Sequence, residues 1–580
     1  MAYAEPAHPP KFPLWAIWTL FLLYALPGLI DHDPWRGDDI THFGVVFEMY
    51  SGGDWLVPGI AGVPHPEYPP FYYWIATLLA KLLHWAMPIH NAARLASGLF
   101  TGIAIAALAR TAQRLYRDRA DRAAALLCLG TLGLVLHAHE FQPQLALFAG
   151  SALTFWGFAE FLIQPRRGAI IAGLAMGMAF LSTGFSAFLL LLPLWVLLPL
   201  FSRECRERRH YPALALGAGI AISIAVAWSL VLRSLRPEGF ALWWASEMAD
   251  ITPHLYHFVR LGELLQLLGW FVWPLWPLAI WALWRHRRTL NEARFTLPLA
   301  AFVLASLLVV FTGPMRPAHT LPLLPPLVLL AAAGVQTLRR GAASALDWFG
   351  RMCFAGFGVF MWVAWYALHF GHPAPLARNI ARVLPGFSPS ISVTATVLAV
   401  LLSLCWIVML VRPPRSPIRG SLSWGAGVTF LWGLTVALLL PAVNFDKGYR
   451  EIANSVARQV EGYRPGCIIG TGMGPSQLAA MDYFAALRFA PSGSQQCQYM
   501  LSYRSSRDTA FAGQPGWEKI WEIERGRKRT AEAFALYKRP DFGNTALAGN
   551  GTPGNFPGSS PSAPYSLPMA AIAGAAAAGN

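Results

Sequence analysis

One polar segment between apolar stretches holds the residues whose types and spacing are best suited to chemistry. Residues 33–74 contain adjacent acids at Asp38 and Asp39 and a second polar group at His65 and Glu67, followed by a Tyr-Pro-Pro turn. Polar groups at this density are costly beside lipid unless they line a wet cavity or face solvent. We therefore predict an active-site loop on the extracytoplasmic side of a membrane, within residues 31–91.

The elements that must position this loop are membrane spans. The chain has 580 residues, of which 55% are hydrophobic and 13% charged, whereas about a quarter of residues are charged in soluble domains. The net charge of +15 does not indicate nucleic-acid binding, because no nucleic-acid module is recognisable and the Lys and Arg residues cluster in short loops on alternate sides of the apolar segments. These features predict a polytopic, all-α membrane domain over residues 1–440.

Apolar windows of about 20 residues predict about thirteen transmembrane helices. The windows are 12–30, 92–112, 123–140, 144–163, 168–183, 185–201, 212–232, 262–284, 295–312, 320–338, 352–371, 389–411 and 424–440. Residues 168–201 form either one broken span or two. We interpret the first window as an uncleaved span and not as a signal peptide. Arginine-rich loops then place the N-terminus in the cytoplasm and residues 441–580 outside.

The apolar segment 71–86 is short and is interrupted by Lys81 and His84. It predicts a helix that lies along the membrane surface. The alternative is a true span, which would reverse the topology of everything after it and place the arginine loops on the wrong side.

The composition becomes polar after the last window. Residues 441–540 predict a small α/β domain with a helix near 446–463, strands near 467–470, 487–491 and 497–504, and a mixture of strand and helix over 517–540. Residues 541–580 contain almost no charge and are rich in Gly, Ala, Pro and Ser, so they predict a disordered tail.

The segment 33–74 resembles the first periplasmic loop of the GT-C membrane glycosyltransferases, in the branch of the aminoarabinose transferases and protein mannosyltransferase-like proteins. The shared blocks are the acid pair at 38–39, a helix that ends at Met49-Tyr50, the turn GDWLVP at 53–58, and EYPP at 67–70 followed by Tyr73-Trp74. A second block, Arg316 followed by LPLLPP from Leu321, matches the family at the outer end of a span.

The resemblance implies a GT-C fold that ends in a periplasmic α/β domain. It also implies a polyprenyl-phosphate-linked sugar as donor, a lipid A, glycan or protein acceptor, and inversion at the anomeric carbon. Such a transfer needs a carboxylate for the acceptor and cations for the departing phosphate. We expect a monomer in the bacterial inner membrane whose other partners are membrane lipids.

The resemblance implies Asp38 as the catalytic carboxylate. Capping of the following helix is the alternative for an Asp at this place, and Asp39 is the better candidate for a cap. The residues predicted to bind substrate are Asp39, Glu67, Tyr68, Glu140, Arg233, Arg236, Arg260, Arg316 and His319. Among them, the arginines suit phosphate oxygens, with lipid headgroups as the alternative ligand.

The resemblance also implies a divalent metal site, for which Glu67 and His257 are the candidate ligands. A membrane-interface histidine is more often a polar anchor, so the metal stays an open expectation. Cys467 and Cys497 both lie in the predicted periplasmic domain, where an oxidising environment predicts a disulfide, with two buried thiols as the alternative.

Four positions depart from the family pattern. Tyr68 replaces a lysine, Gln142 stands near an expected aspartate, Thr183 replaces a lysine before glycine, and His319 replaces an aromatic residue. Glu140 is the candidate for the displaced second carboxylate, with the alternative that His137, His139 and Glu140 are polar residues of the membrane interface. The departures leave the sugar and the acceptor open, and they keep a non-catalytic member of the fold as an alternative. A transporter or lipid flippase is a further alternative, although no inverted repeat is visible.

Overall fold

The computed structural model describes residues 13–116, 120–251, 259–312, 316–412, 418–460, 468–490, 497–505, 515–525 and 531–540. The described residues are mainly helical. The first eleven helices are α1 (Leu14–Leu29), α2 (Asp38–Tyr50), α3 (Phe71–Leu83), α4 (Ile89–Tyr116), α5 (Ala120–Leu129), α6 (Leu132–His137), α7 (Gln144–Phe161), α8 (Pro165–Thr183), α9 (Phe185–Val196), α10 (Leu198–Phe201) and α11 (Tyr211–Leu235).

The second half of the chain continues with eleven more helices. They are α12 (Pro237–Ile251), α13 (Val259–Phe271), α14 (Leu275–Arg285), α15 (Ala293–Phe311), α16 (Leu324–Gln336), α17 (Arg340–Phe370), α18 (Ala374–Val383), α19 (Val393–Val411), α20 (Arg419–Lys447), α21 (Arg450–Gln459) and α22 (Pro475–Ala485). Short 3-10 helices cover Arg203–Arg206, Arg208–His210 and Pro317–Leu323.

Each predicted apolar window contains helix, as the need to satisfy backbone groups inside lipid requires. By length and composition, seven of the described helices can each cross a membrane, or up to eight spans if α13 and α14, which are bent by 97°, form one. The protein is therefore a multi-pass membrane protein, while the count of thirteen spans stays a prediction. The segment 168–201 is broken into separate helices at Gly184, whose φ is +65°.

Helix α3 confirms the predicted helix after the Tyr-Pro-Pro turn. It has 13 residues, which at about 1.5 Å per residue is too short for a bilayer core of about 30 Å. Its orientation along the membrane surface stays a prediction.

The core of the bundle is formed by α4, α7 and α8, and small residues let these helices approach closely. All but two residues of α7 are buried. A Cβ added at Gly157 would lie 2.7 Å from the Cβ of Ala172 on α8. Close approach through small residues is the usual means of helix association in membranes, where burial away from water gives no driving force.

The C-terminal region contains a five-stranded sheet. Its strands are β3 (Ile468–Thr471), β4 (Phe489–Ala490), β5 (Tyr499–Ser505), β6 (Glu518–Arg525) and β7 (Glu532–Lys538), after a two-stranded ribbon of β1 (Gly59–Ile60) and β2 (Val63–Pro64) in the first loop. The order is β4-β3-β5-β7-β6. Strands β4 and β5 are parallel to β3, whereas β7 is antiparallel to both β5 and β6.

This region corrects two details of the sequence interpretation. In the described part of 517–540, the predicted mixture of strand and helix is wrong, because both β6 and β7 are strands and they pair along their length. Helix α22 was not predicted at all. The prediction of a disordered tail over 541–580 lies outside the described residues, and the periplasmic location of the domain stays a prediction.

The sheet region contacts the loop that holds the paired acids. A Cβ added at Gly44 of α2 would lie 2.5 Å from the Cβ of Ala479 on α22, so α22 packs directly on the helix that begins at Asp38. Arg450 forms a two-nitrogen ion pair with Asp33. These contacts join the C-terminal region to the N-terminus of α2.

Candidate active site

Asp38 is the first residue of α2, and the turn before it determines its position. Gly37 has a φ of +93°, which strongly favours glycine. Its N–H donates a hydrogen bond to Ser476 Oγ of the C-terminal region at 3.0 Å. The Asp38 side chain is 40% exposed, so its carboxylate is accessible to a ligand. The cap position itself belongs to Gly37, and neither acid occupies it.

Arg316 joins the two acidic groups that the sequence pattern singled out. Its Nη1 lies 3.3 Å from Asp38 Oδ1 and 3.3 Å from Glu67 Oε1. These residues are 278 and 249 positions away from Arg316 in the chain. The two carboxylates can accept protons, and the guanidinium between them is a cation suited to phosphate. Both kinds of group therefore lie at one place.

Glu67 remains ionised at this site. Burial raises the pKa of Glu67, but the neighbouring His65, His42 and Arg316 outweigh burial and lower the pKa to about 2. The His65 Nε2 atom lies 3.3 Å from Glu67 Oε2. Glu67 therefore contributes a fixed negative charge over the physiological pH range.

His42 lies beneath the acids on the buried face of α2. Its Nδ1 is 2.9 Å from the Tyr73 hydroxyl. Burial lowers the pKa of His42 to about 4, although Asp38 and Glu67 act in the opposite direction. The ring is therefore neutral near pH 7, and sequence reasoning did not identify it as part of the site.

Two of the departures from the family pattern are in direct contact. The Tyr68 hydroxyl and His319 Nε2 are 3.0 Å apart. Tyr68 stands where the family has a lysine, and His319 stands where it has an aromatic residue. The structure thus combines the two unusual residues into one hydrogen-bonded pair.

A cavity that is open to solvent adjoins these residues. Its polar lining includes three predicted residues, Glu67, Tyr68 and His319, and the substituted Thr183. The remaining lining residues are Gln144, Leu147, Ser186, Leu190, Glu247, Ala305, Leu308, Val309, Thr312 and Pro322. Gln144, Ser186 and Glu247 were not singled out by sequence reasoning.

Asp39 requires a correction. Its carboxylate is buried, accepts the N–H groups of Trp35 and Phe141 at 2.8 and 2.7 Å, and lies 3.5 Å from an Arg94 side chain with no exposed surface. Burial raises the pKa of Asp39, and the charge of Arg94 opposes that rise. Because these contacts are internal, we revise its predicted substrate-binding role to a structural one.

Glu140 also lies elsewhere than the sequence interpretation assumed. Its Oε2 is 3.1 Å from His137 Nδ1. Among the described residues that line the cavity, this part of the chain contributes Gln144 and not Glu140. Gln142 is buried, and its N–H donates to the Tyr72 hydroxyl at 3.1 Å. The substrate role of Glu140 therefore gains no support from its position.

The other candidate arginines have different surroundings from Arg316. Arg236 pairs with Asp54 of the first loop. The Arg233 guanidinium lies 5.9 Å from the centre of the Phe240 ring. Arg260 is in α13 and is half-buried. Their roles in substrate binding stay predictions.

The expected metal site is not assembled by the described residues. Glu67 Oε1 is in contact with Arg316, which competes with a metal cation for that oxygen. Within the described ranges, no group of three or more His, Cys, Asp or Glu side chains is arranged to hold a metal ion. The second proposed ligand, His257, lies outside the described residues, as does Cys467, so the metal and the Cys467–Cys497 disulfide both stay predictions.

Comparisons with known proteins agree with the fold. A family model described as dolichyl-phosphate-mannose-protein mannosyltransferase matches residues 66–229. A relative from Pseudomonas fluorescens, an undecaprenyl phosphate-alpha-4-amino-4-deoxy-L-arabinose arabinosyl transferase, is 31% identical over 39% of this chain and 42% of its own length. A protein of the same description from Pseudomonas aeruginosa is 29% identical over 57% of this chain and 61% of its own length.

The sequence matches thus cover about half of these relatives' own length. A solved structure extends the likeness further: the crystal structure of ArnT from Cupriavidus metallidurans bound to undecaprenyl phosphate covers 90% of this chain and 97% of its own, with a TM-score of 0.65 and 16% identity. The apo form of the same protein gives a TM-score of 0.62. At this identity the likeness demonstrates a shared fold.

Proposed function

We propose that this chain is a member of the GT-C family of aminoarabinose transferases and mannosyltransferase-like proteins. In this proposal it transfers a sugar from a polyprenyl phosphate to a lipid A, glycan or protein acceptor. The observation that carries this proposal is the contact of Arg316 with both Asp38 and Glu67 beside a solvent-open cavity. A carboxylate and a guanidinium at one place are the two groups that such a transfer requires.

Asp38 acts on the acceptor. An acceptor hydroxyl gives its proton to the carboxylate while its oxygen forms a bond to the anomeric carbon of the sugar. An acceptor that is already anionic needs no proton transfer, and Asp38 then orients it. In both cases the bond between the anomeric carbon and the phosphate oxygen breaks in the same displacement, which inverts the anomeric configuration.

Arg316 acts on the departing group. As the bond to the sugar breaks, the lipid phosphate gains negative charge, and a guanidinium stabilises that charge through paired N–H donors. Before substrate binds, the contacts with Asp38 and Glu67 hold the guanidinium at the cavity. Glu67 therefore positions Arg316. Because the charge of Glu67 is constant near neutral pH, the position of the guanidinium does not depend on pH in that range.

The carrier lipid follows from the relatives. Their descriptions specify undecaprenyl phosphate, and the ArnT structure from Cupriavidus metallidurans contains it. We propose that this chain also uses a polyprenyl phosphate carrier. The identity of the sugar stays open, because Tyr68 and Thr183 replace two family lysines. In the proposed orientation, the N-terminus lies in the cytoplasm, and the α2 loop and the C-terminal domain lie in the periplasm. We propose that the protein is a monomer in the inner membrane.

A cellular experiment tests the proposal and identifies the acceptor. A strain lacking the protein is complemented with the unaltered chain, with Asp38→Asn, or with Asp121→Asn. Asp121 is a matched control because it also lies in the first turn of a helix and contacts an arginine, Arg122, at 3.5 Å.

Mass spectrometry of lipid A, envelope glycans and periplasmic proteins provides the measurement. We expect one glycan modification to return with the unaltered chain and with Asp121→Asn, but not with equally expressed Asp38→Asn. A modification restored fully by Asp38→Asn would contradict a catalytic role for that carboxylate and favour a transporter or a non-catalytic member of the fold.

A further inference from the structure

A second carboxylate faces the cavity from the wall formed by α8, α9 and α12. Glu247 of α12 is 5% exposed and lines the cavity together with Thr183 and Ser186. The mechanism proposed above depends on Asp38 and Arg316 and does not use Glu247. Glu247 is therefore a buried carboxylate at the cavity, in addition to Glu67.

The carboxylate of Glu247 is held by directed hydrogen bonds. Its Oε2 accepts the N–H of Phe185 at 2.9 Å, and its Oε1 accepts the indole N–H of Trp243 at 3.1 Å. Phe185 begins α9, which has 12 residues. The N–H groups at a helix N-terminus stabilise negative charge, so this position suits an ionised carboxylate.

The break between α8 and α9 accommodates Glu247. A Cβ added at Gly184 would lie 1.7 Å from Glu247 Oε1, and the positive φ of Gly184 is itself unfavourable for other residues. Aromatic rings enclose the rest of the side chain: Trp228 and Phe185 have ring centres 4.8 and 5.9 Å from that of Trp243. The carboxylate is therefore positioned rigidly before any ligand binds.

The cavity consequently has two different polar walls. Glu67 lies on one wall in contact with the cationic Arg316, to which we assign the phosphate. Glu247, Thr183 and Ser186 lie on another wall that offers hydrogen-bond acceptors and hydroxyl groups. Carboxylate oxygens accept hydrogen bonds from sugar hydroxyls and repel anionic groups.

We propose that Glu247 is a specificity-determining residue that binds hydroxyl groups of the donor sugar and discriminates against sugars that bear a carboxylate. This inference rests on the proposed function, because it assumes a lipid-linked sugar donor. It identifies the cavity wall that selects the sugar, and it predicts a donor sugar without an acidic group.

A binding measurement tests Glu247 without requiring turnover. The full-length protein in detergent is titrated with undecaprenyl phosphate carrying glucose, undecaprenyl phosphate carrying glucuronic acid, and unloaded undecaprenyl phosphate. The variants are Glu247→Gln and a control, Glu238→Gln, which changes an exposed acid at the start of the same helix. Each Kd is obtained from tryptophan fluorescence.

We expect the unaltered chain and Glu238→Gln to bind the glucuronic acid lipid at least about tenfold more weakly than the glucose lipid, since like charges repel by over a kcal/mol. In Glu247→Gln this ratio should fall to about threefold or less, through tighter binding of the glucuronic acid lipid. The Kd for unloaded undecaprenyl phosphate should stay unchanged. A variant that is only misfolded would bind all three lipids more weakly and would not bind any of them more tightly.

If Glu247→Gln does not fold, Trp243→Phe removes one of the hydrogen bonds that position the carboxylate and should reduce the same ratio partially. An unchanged ratio in Glu247→Gln, or an equal loss of affinity for all three lipids, would overturn the assignment. Such a result is distinguishable from failure of the proposed function, which is decided by sugar transfer in Asp38→Asn and does not depend on which sugar is preferred.

Discussion

The Tyr68 hydroxyl lies 3.0 Å from Nε2 of His319, and these two residues occupy positions where the family pattern has a lysine and an aromatic residue. A hydrogen-bonded phenol and imidazole thus stand where a lysine cation would be expected. Both residues line the cavity. Because this wall lacks the lysine, we expect the phosphate of the proposed donor to depend more strongly on Arg316.

The Tyr68 and His319 pair should act as one unit. Tyr68→Phe and His319→Phe should each lower kcat/KM for sugar transfer by about two- to tenfold, which corresponds to the loss of one hydrogen bond of about 0.5–1.5 kcal/mol. The double variant should lose little more than either single variant, with a coupling energy of about 0.5 kcal/mol or more. Additive losses in this double-mutant cycle would show that the contact has no energetic role.

Arg316 should be needed for the chemical step. We expect Arg316→Ala to lower kcat by about 100- to 1000-fold, as for removal of a group that stabilises charge in the transition state. Arg316→Lys should recover only part of this loss, because an ammonium lacks the planar pair of donors. Single-turnover kinetics with a lipid-linked sugar measure the step directly.

Added guanidinium ion provides the matching control for Arg316. It should raise the rate of Arg316→Ala and leave Arg316→Lys nearly unchanged. A value of kcat for Arg316→Ala within threefold of the unaltered chain would be inconsistent with the proposed stabilisation of the departing phosphate.

Glu67 should show no titration near neutral pH. The neighbouring His65, His42 and Arg316 outweigh burial and lower its pKa from 4.5 to about 2. The ionised group therefore stabilises the folded protein above about pH 4.5, and this contribution is lost as the pH falls toward 2. The ratio of kcat between Glu67→Gln and the unaltered chain should be constant from about pH 5 to 8. A ratio that changes tenfold across this range would mean that the charge of Glu67 is not constant.

Asp39 and Arg94 should determine stability. Removing one partner leaves the other charged and buried, so Asp39→Ala should lower the free energy of unfolding by about 3–5 kcal/mol. The double variant Asp39→Leu, Arg94→Leu should regain much of that loss. Thermal denaturation in detergent measures both. Asp38→Asn is the adjacent control, because a partly exposed ion pair contributes only about 0–1 kcal/mol.

A destabilisation of Asp38→Asn equal to that of Asp39→Ala would contradict this division of roles between the two neighbouring acids. In contrast, loss of sugar transfer by Asp38→Asn at unchanged stability would support it. The two carboxylates differ in exposure and in partner: Asp38 is partly exposed and contacts Arg316, whereas Asp39 is buried and contacts Arg94 of α4.

Much of the helical architecture could be predicted because a backbone inside lipid must satisfy its own hydrogen bonds, so apolar windows become helices. The breaks were harder to locate. The sharp bend between α13 and α14 and the interruption at Gly184 depend on what packs beside them, as the contact between Gly184 and Glu247 demonstrates. The segment 517–540 was predicted incorrectly in part because β7 pairs with β5 as well as with β6, and β5 lies earlier in the chain.

The candidate site was predictable where blocks of residues match a family pattern. Asp38, Glu67 and Arg316 were singled out from two distant blocks, and they meet in the structure. Tyr68 and His319 were identified separately as departures, but their contact joins residues 251 positions apart and has no local signal. Glu247 was missed because a single acid in an aromatic-rich segment resembles an interface residue until the fold places it at the cavity.

In the proposed mechanism, the partly exposed carboxylate of Asp38 performs the transfer together with Arg316. The most direct measurement is the single-turnover rate of sugar transfer from a polyprenyl phosphate donor by purified Asp38→Asn in liposomes, compared with Asp121→Asn and the unaltered chain. We predict a loss of at least about 100-fold for Asp38→Asn alone, with its melting temperature unchanged. A transfer rate for correctly folded Asp38→Asn equal to that of the unaltered chain would rule out Asp38 as the catalytic carboxylate.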